Sequence, residues 1–99
     1  MDLKSRIIFE LGIDKSECTE ERALGKEKYF IVYGEYSGIQ RELLSNRVHY
    51  DDVIEATEDK VVLIKRVPID GIWKKVLIEV TDWTQGDGYV LRYLEGGVI

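Results

Sequence analysis

The residues that most resemble a chemical site lie in the stretch TDWTQGDGYVLRYLEGG, residues 81–97, where two glycines flank Asp87 and further acids and aromatics stand close by. Acids among glycines are typical of calcium-binding and phosphate-binding loops. An EF-hand loop counted from Asp82 needs a glycine at its sixth place, yet Gly86 stands fifth and Asp87 sixth. A dinucleotide-binding or Walker-type loop fails as well, because a strand pattern follows and Leu91 replaces the third glycine of GxGxxG. We therefore interpret the stretch as a glycine-rich turn between two strands.

A second group that could do chemistry surrounds the single histidine. His49 stands near Asp51, Asp52 and Glu55, and carboxylates beside an imidazole can bind a metal or share acid–base work. In a strand, however, His49 and Asp51 share a face while Asp52 points away, so one segment does not bring them together. The only other imidazole or thiol belongs to Cys18, whose acidic neighbours disfavour a thiolate. We predict no metal site and no cofactor.

Nucleophilic catalysis has equally little support. The chain has no GxSxG elbow and no cysteine with a recognised flank, and four serines occur in ordinary contexts: Ser5, Ser16, Ser37 and Ser45. We therefore predict no catalytic residues and a protein that is not an enzyme. Paired carboxylates leave no spacing in a sequence, so a small hydrolase using Asp51, Asp52 or Asp82 stays an alternative.

Aromatic and basic side chains share the same segments and suggest a third chemistry. Single-stranded nucleic acid could stack on six rings with help from five cations: Tyr29, Tyr33, Trp73, Trp83, Tyr89, Tyr93, Lys65, Arg66, Lys74, Lys75 and Arg92. Against this, acids alternate with the bases, no RRM-type motif occurs, and 14 Lys plus Arg against 19 Asp plus Glu leave a net charge of −5. Broad affinity for phosphates comes from cations, so nucleic-acid binding is an alternative and not the favoured function, although a local basic patch remains open.

The elements that must position these residues begin with a helix. Four apolar residues fall at helical spacing: Leu3, Ile7, Ile8 and Leu11. With Asp2 as N-cap and Gly12 as stop, they predict an amphipathic helix over about residues 3–11. Residues 13–28 indicate a short second helix or an ordered loop, with three candidate cap and exit residues: Ser16, Thr19 and Gly25.

Beyond Lys28 the composition favours strands, predicted at residues 29–36, 48–57, 58–67, 71–83 and 89–95. Residues 39–46 fit either a strand that completes a hairpin through residues 37–38, which we prefer, or a helix. Short polar turns, among them residues 67–71 and 84–88, make pairing between sequence neighbours the usual arrangement. We predict an α+β domain over residues 1–99, with an antiparallel meander of about five strands and one or two N-terminal helices on one face.

Alternation along residues 71–83 gives the most suggestive feature of the chain. Trp73, Leu77 and Trp83 project to one face, while Ile72, Val76, Ile78 and Val80 project to the other. A sheet with helices on one side leaves its second face uncovered, and large aromatics there mark a contact surface. We predict that four sheet aromatics form a partner-binding surface: Trp73, Trp83, Tyr89 and Tyr93.

The make-up of the whole chain also carries information. Charged residues reach 33%, while thermolabile ones are scarce, with Asn46, Gln40, Gln85 and Cys18 as the only amides and thiol. This bias favours a hot environment, where ion pairs cost less to desolvate. The N-terminal apolar run is broken by charge, so we expect no signal peptide, no membrane span and an intracellular location.

In its size, its charged and Asn/Gln-poor make-up and its lack of a catalytic signature, the chain is similar to small uncharacterised proteins of filamentous viruses of hyperthermophilic archaea. The likeness is one of composition over the whole chain, rests on no specific residues and transfers no site. It implies a thermostable viral accessory protein in the host cytoplasm, commonly a homo-oligomer. The residues themselves predict a small non-enzymatic interaction module that self-associates, for instance as a homodimer, or binds a protein partner, and leave the partner and the strand order open.

Overall fold

The computed structural model describes residues 2–34, 52–57 and 59–96. These residues form one α-helix, a single 3-10 turn and six strands: α1 Leu3–Glu10, the turn Lys15–Glu17, β1 Arg22–Leu24, β2 Glu27–Tyr33, β3 Asp52–Ala56, β4 Lys60–Ile69, β5 Ile72–Asp82 and β6 Gly88–Glu95. A helix packed with a predominantly antiparallel sheet agrees with the predicted class. The strand count among the described residues is six where about five were expected. No helix in this part of the chain is long and apolar enough to cross a membrane.

All strands belong to one antiparallel sheet in the order β1-β2-β6-β5-β4-β3. The run from β3 to β6 is a meander, as predicted. Strand β2 departs from it, because it pairs with β6, the last strand, over the register from Lys28↔Tyr93 to Tyr33↔Gly88. The predicted strand or helix over residues 39–46 lies outside the described residues.

Helix α1 has the caps that its sequence indicates. The side chain of Asp2 accepts a hydrogen bond from the backbone N–H of Ser5 at 2.8 Å, which satisfies one free donor of the first turn. Gly12 follows the C-terminus with φ 68, a conformation that glycine adopts without strain. Ile7 and Ile8 face the sheet and are buried, so the predicted apolar stripe is confirmed.

The segment between α1 and β2 differs from its prediction in detail. A 3-10 turn does form, but its N-cap is Asp14, whose carboxylate accepts from both the backbone N–H and the hydroxyl of Ser16. Strand β1 then follows where no strand was expected, and all of its residues are exposed. Gly25 lies in the tight β1–β2 turn with φ 64. It therefore forms part of a hairpin turn and does not end a helix.

The hydrophobic core lies between α1 and one face of the sheet. Strands β2, β4, β5 and β6 contribute alternate residues to it, as the pleat requires. The core side chains with no solvent exposure are Ile7, Phe30, Val32, Val61, Leu63, Val67, Val76, Ile78, Val80 and Leu91. The opposite side of the sheet is here called the open face, because no described helix packs on it.

The β4–β5 connection is shorter than predicted. Asp70 and Gly71, with φ 50 and 79, form a two-residue turn closed by the pair Ile69↔Ile72. Pro68 was expected in the turn but lies in β4. Among the residues that the structure describes, β3 pairs with β4 only as far as Ile64, so no described ladder requires a backbone N–H from Pro68 on the outer edge of β4.

Candidate interaction surface

The structure separates the four predicted contact residues into two pairs. Trp73 is 68% exposed and Trp83 is half-buried, and both project from the open face. Tyr89 and Tyr93 project to the helix-covered face and are only 4% and 2% exposed. The two tyrosines are therefore core residues of this fold, and the two tryptophans are the surface candidates.

The middle of the open face is apolar and half-buried. We call this the sheet-centre surface and define it by residues of four adjacent strands that project to the same side: Tyr29, Ile31, Val62, Leu77, Val90, Arg92 and Leu94. Apart from Arg92 these are aliphatic or aromatic side chains. Side chains of this kind are usually fully covered when a second layer packs on a sheet.

Arg92 stands in the middle of this surface between two acids. Its guanidinium donates to the carboxylate of Glu27 on β2 and lies 3.8 Å from that of Glu79 on β5. The hydrogen bond to Glu27 is the main cause that raises the pKa of Arg92. Its Nε atom is buried without a hydrogen-bond partner. Because each side chain is about a third exposed, we expect the pairs to contribute at most about 1 kcal/mol to folding, and their main effect is to compensate the positive charge of Arg92.

A shallow depression of about 30 Å³ lies beside Arg92 on the same face, lined partly by Val62, Leu77 and Leu94. A volume of this size holds a water molecule or two, whereas pockets for small organic ligands span roughly 300 to 1,000 Å³. The shape of this depression therefore suits contact with a broad surface better than enclosure of a small molecule.

An aromatic pair stands at one end of the open face. The rings of Tyr33 and Trp83 meet edge to face with centroids 5.0 Å apart and an interplanar angle of 73°. Gly86 lies against the indole of Trp83, so that a Cβ there would be 2.7 Å from a ring carbon. Tyr33 is 43% exposed, so this pair presents aromatic area to solvent at the rim of the sheet-centre surface.

The other end of the open face carries Trp73. Trp83 follows it by ten positions, just beyond the end of β5, which places the two residues about 33 Å apart along the strand direction. Trp73 pairs with Pro68 in the β4–β5 register. The next pair on the same face, two residues further along β5, is Lys75 with Arg66. We call these four residues the hairpin surface. The predicted contact residues thus mark two different surfaces.

The segments first considered for catalysis or metal binding have ordinary structures where they are described. Residues 84–87 form an exposed turn between β5 and β6, as predicted. Asp82, a candidate of the hydrolase alternative, is exposed at the end of β5, while His49 and Asp51 lie outside the described residues. Within the described ranges, no group of three or more His, Cys, Asp or Glu side chains could hold a metal ion. Burial raises the pKa of the Cys18 thiol, with Glu17 and Asp14 adding to the rise and Lys4 opposing it.

Comparisons with protein families, with curated proteins and with solved structures found no match to this chain.

Proposed function

We propose that the protein is a non-enzymatic interaction module that self-associates through its sheet-centre surface. The observation that carries the proposal is the unequal covering of the two sheet faces. All the side chains with no solvent exposure lie on the α1 side of the sheet, while the other face holds half-buried apolar side chains around the buried Ile64, and exposed aromatics, with no described helix above them. Burying apolar area of this kind in a second copy is favourable by roughly 25 cal/mol per Å².

The dimensions of the open face suit a dimer contact. Six strands spaced about 4.8 Å apart span about 24 Å, and the 11 residues of β5 extend about 36 Å. Their product sets an upper bound of roughly 860 Å², and a standard interface buries about 800 Å² on each partner. Most of the face would therefore take part in a stable contact.

A second copy is favoured as the occupant by the charges at the centre. Arg92 has its ion-pair partners, Glu27 and Glu79, within its own chain, so two identical faces can meet without an unpaired cation. A surface that selects its partner by charge would carry a larger excess of one sign than the 1 − 2 = −1 of these three side chains. Isologous contacts between identical faces are also the commonest form of association in soluble proteins.

The edges of the sheet support association through the face. Strand β1 has only three residues, and β3 carries a register shift between Val53 and Glu55. Short and bulged edges resist the addition of further strands. A copy of the chain is thus directed to the apolar face and away from edge-to-edge pairing.

Multi-angle light scattering at several protein concentrations tests the proposal. We expect a dimer mass for the wild type and a shift to the monomer mass for Leu77→Lys, which places a charge in the middle of the sheet-centre surface. Val90→Lys should act in the same way, so the test does not depend on one variant. Phe9→Lys is the matched control, because Phe9 is 65% exposed on α1, on the other side of the molecule.

Far-ultraviolet circular dichroism of each variant separates lost association from lost folding. A wild type that keeps the monomer mass at every concentration would overturn the proposal. So would a dimer that persists in both Leu77→Lys and Val90→Lys while Phe9→Lys abolishes it. A folded monomer that captures another protein through the same face would replace self-association with a heterologous contact.

A further inference from the structure

The size of the open face restricts where the two-fold axis of a dimer can lie. The upper bound of roughly 860 Å² is close to the 800 Å² or so of a standard interface, so the two faces must overlap almost completely. An axis that relates two identical faces lies between them, and full overlap requires that it cross the centre of the sheet. Among the described strands, three lie on each side of the gap between β5 and β6. Because packed sheets keep their strands within about 30° of alignment, the axis runs either along the strands at this gap or across them.

The side chains at the centre distinguish these two orientations. An axis along the strands places each residue of β5 over its own register partner on β6 of the other copy. Leu77 then faces Leu94, and Glu79 faces Arg92. An axis across the strands at the same level places Glu79 over Leu77 and Arg92 over Leu94, which buries charged groups against apolar ones. The first orientation brings together apolar side chains and opposite charges, so it is the more favourable of the two.

The strands on either side of this centre do not reverse the choice. With the axis along the strands, β4 of one copy lies over β2 of the other, so Val62 faces Tyr29 and Ile64 faces Glu27. With the axis across the strands, Val62 faces Ile64 and Tyr29 faces Glu27. Glu27 meets an apolar side chain in both cases, so the difference between the orientations lies in the pair formed by β5 and β6.

The guanidinium of Arg92 has the donors for a second carboxylate. An arginine carries five N–H groups, and Arg92 donates one hydrogen bond to the described residues, the one to Glu27. Its Nη1 atom lies 3.8 Å from Oε1 of Glu79 in the same chain, which is an ion-pair distance and longer than a hydrogen bond. A second copy on this face would exclude water from these donors, and donors left unpaired after burial are costly. Glu79 of the other copy brings acceptor oxygens to this point.

We propose that the two-fold axis of the dimer runs along the strands between β5 and β6, and that Arg92 of each copy forms an ion pair with Glu79 of the other. The strands of the two copies then run in the same direction, and both hairpin surfaces lie at the same end of the dimer. This orientation depends on self-association through the sheet-centre surface, the function proposed above, and the two ion pairs select it.

Two charge reversals, Glu79→Arg and Arg92→Glu, test the ion pairs. Each variant alone places like charges over one another and should weaken self-association at least about 30-fold. In an equimolar mixture the introduced arginine of one variant faces the introduced glutamate of the other, so native mass spectrometry should show a heterodimer. The matched control is a mixture of Glu27→Arg with Arg92→Glu, which has the same net charges, but position 27 faces Ile64, so we expect much less heterodimer. Circular dichroism shows whether each variant folds.

Spin labels at the two ends of β5 measure the orientation without changing the centre. Ile72→Cys and Asp82→Cys, in separate proteins that also carry Cys18→Ser, place the label at exposed positions outside the open face. With the axis along the strands, equivalent Cα atoms of the two copies stay within about 16 Å at both ends, so double electron–electron resonance should give a short distance for each label. Positions 72 and 82 lie about 33 Å apart along β5, so an axis across the strands leaves at least one equivalent pair about 33 Å apart or more.

The outcomes separate this orientation from self-association itself. A dimer with a long distance at either label would overturn the orientation and leave self-association in place. Equal amounts of heterodimer in the test and control mixtures would overturn the ion pairs, as would a dimer that survives both single charge reversals. A wild type that stays monomeric at every concentration would overturn the orientation together with the proposed function.

Discussion

Replacement of Gly88 by alanine should destabilise the fold far more than the same change at Gly71. Gly88 begins β6 with φ 145, and a Cβ at this position would lie 2.2 Å from the carbonyl oxygen of Val32 on the neighbouring strand. Ordinary contact begins at 3.4 Å, so the two backbones would have to separate by about 1.2 Å at the point where β2 and β6 pair. Gly71 also has a positive φ, 79, but nothing lies within 4 Å of its would-be Cβ.

The magnitudes follow from these two geometries. Backbone strain in Gly88→Ala costs on the order of 1–3 kcal/mol and the forced overpacking a further 1–3, so we expect a loss of about 4 kcal/mol in the free energy of unfolding. Gly71→Ala carries strain alone, about 1 kcal/mol. The reduced entropy of the unfolded chain favours both alanines equally and cancels in the comparison.

Thermal unfolding followed by circular dichroism measures the difference. With an unfolding entropy of about 2.1 cal/mol/K per residue, 99 residues give about 0.21 kcal/mol/K. The expected decrease in Tm is then about 19 °C for Gly88→Ala and about 5 °C for Gly71→Ala. Equal decreases for the two variants would refute the reasoning, because they would show that Val32 does not approach Gly88 closely.

Three further predictions concern Asp2, Cys18 and the Arg92–Glu27 ion pair. Asp2→Ala should lower the free energy of unfolding by about 1 kcal/mol in urea titrations, whereas Asp2→Asn should keep the cap. The hydrogen bonds from Ser5 lower the pKa of Asp2 below its ordinary 3.8, so this stabilisation should be present above about pH 4 and decline as the pH falls further, but not in Asp2→Asn. Because burial raises the pKa of Cys18, its thiol should react with a disulfide reagent more slowly at pH 8 in the folded protein than in denaturant. A double-mutant cycle of Arg92→Met and Glu27→Gln should give a coupling of no more than about 1 kcal/mol, and a value several times larger would show a desolvated ion pair.

The local signals in the sequence predicted the elements well where cap and turn residues are specific. Asp2 and Gly12 bound α1, and Asp70-Gly71 marks a turn that the structure contains, although Pro68 belongs to the strand. Strand β1 was not predicted because its three residues are all exposed and show no alternation of apolar and polar side chains. The pairing of β2 with β6 was not predicted either, because hydrophobic periodicity shows which face of a strand is buried and not which strand lies beside it.

The candidate site was predictable only in part for a related reason. In β5 the charged residues divide equally between the two sides, but the aliphatic run Val76, Ile78 and Val80 lies opposite to Trp73, so the outward direction of Trp73 follows from that run. In β6 both sides are apolar: Tyr89, Leu91 and Tyr93 share one face, and Val90 and Leu94 share the other. The alternation therefore groups the two tyrosines with Leu91, but only the position of α1 shows that this group is the covered one.

The central place of β6 in the sheet has a consequence for how the protein folds. Contacts such as the one between Glu27 and Arg92 join residues 65 positions apart, and β2 has no partner on that side until β6 has formed. The β3–β6 meander can assemble from local hairpins, whereas β1 and β2 can join the sheet only after β6 has formed. We expect slow, non-local folding in which the N-terminal third docks last, and this late step is where aggregation of the nascent chain competes with the native structure.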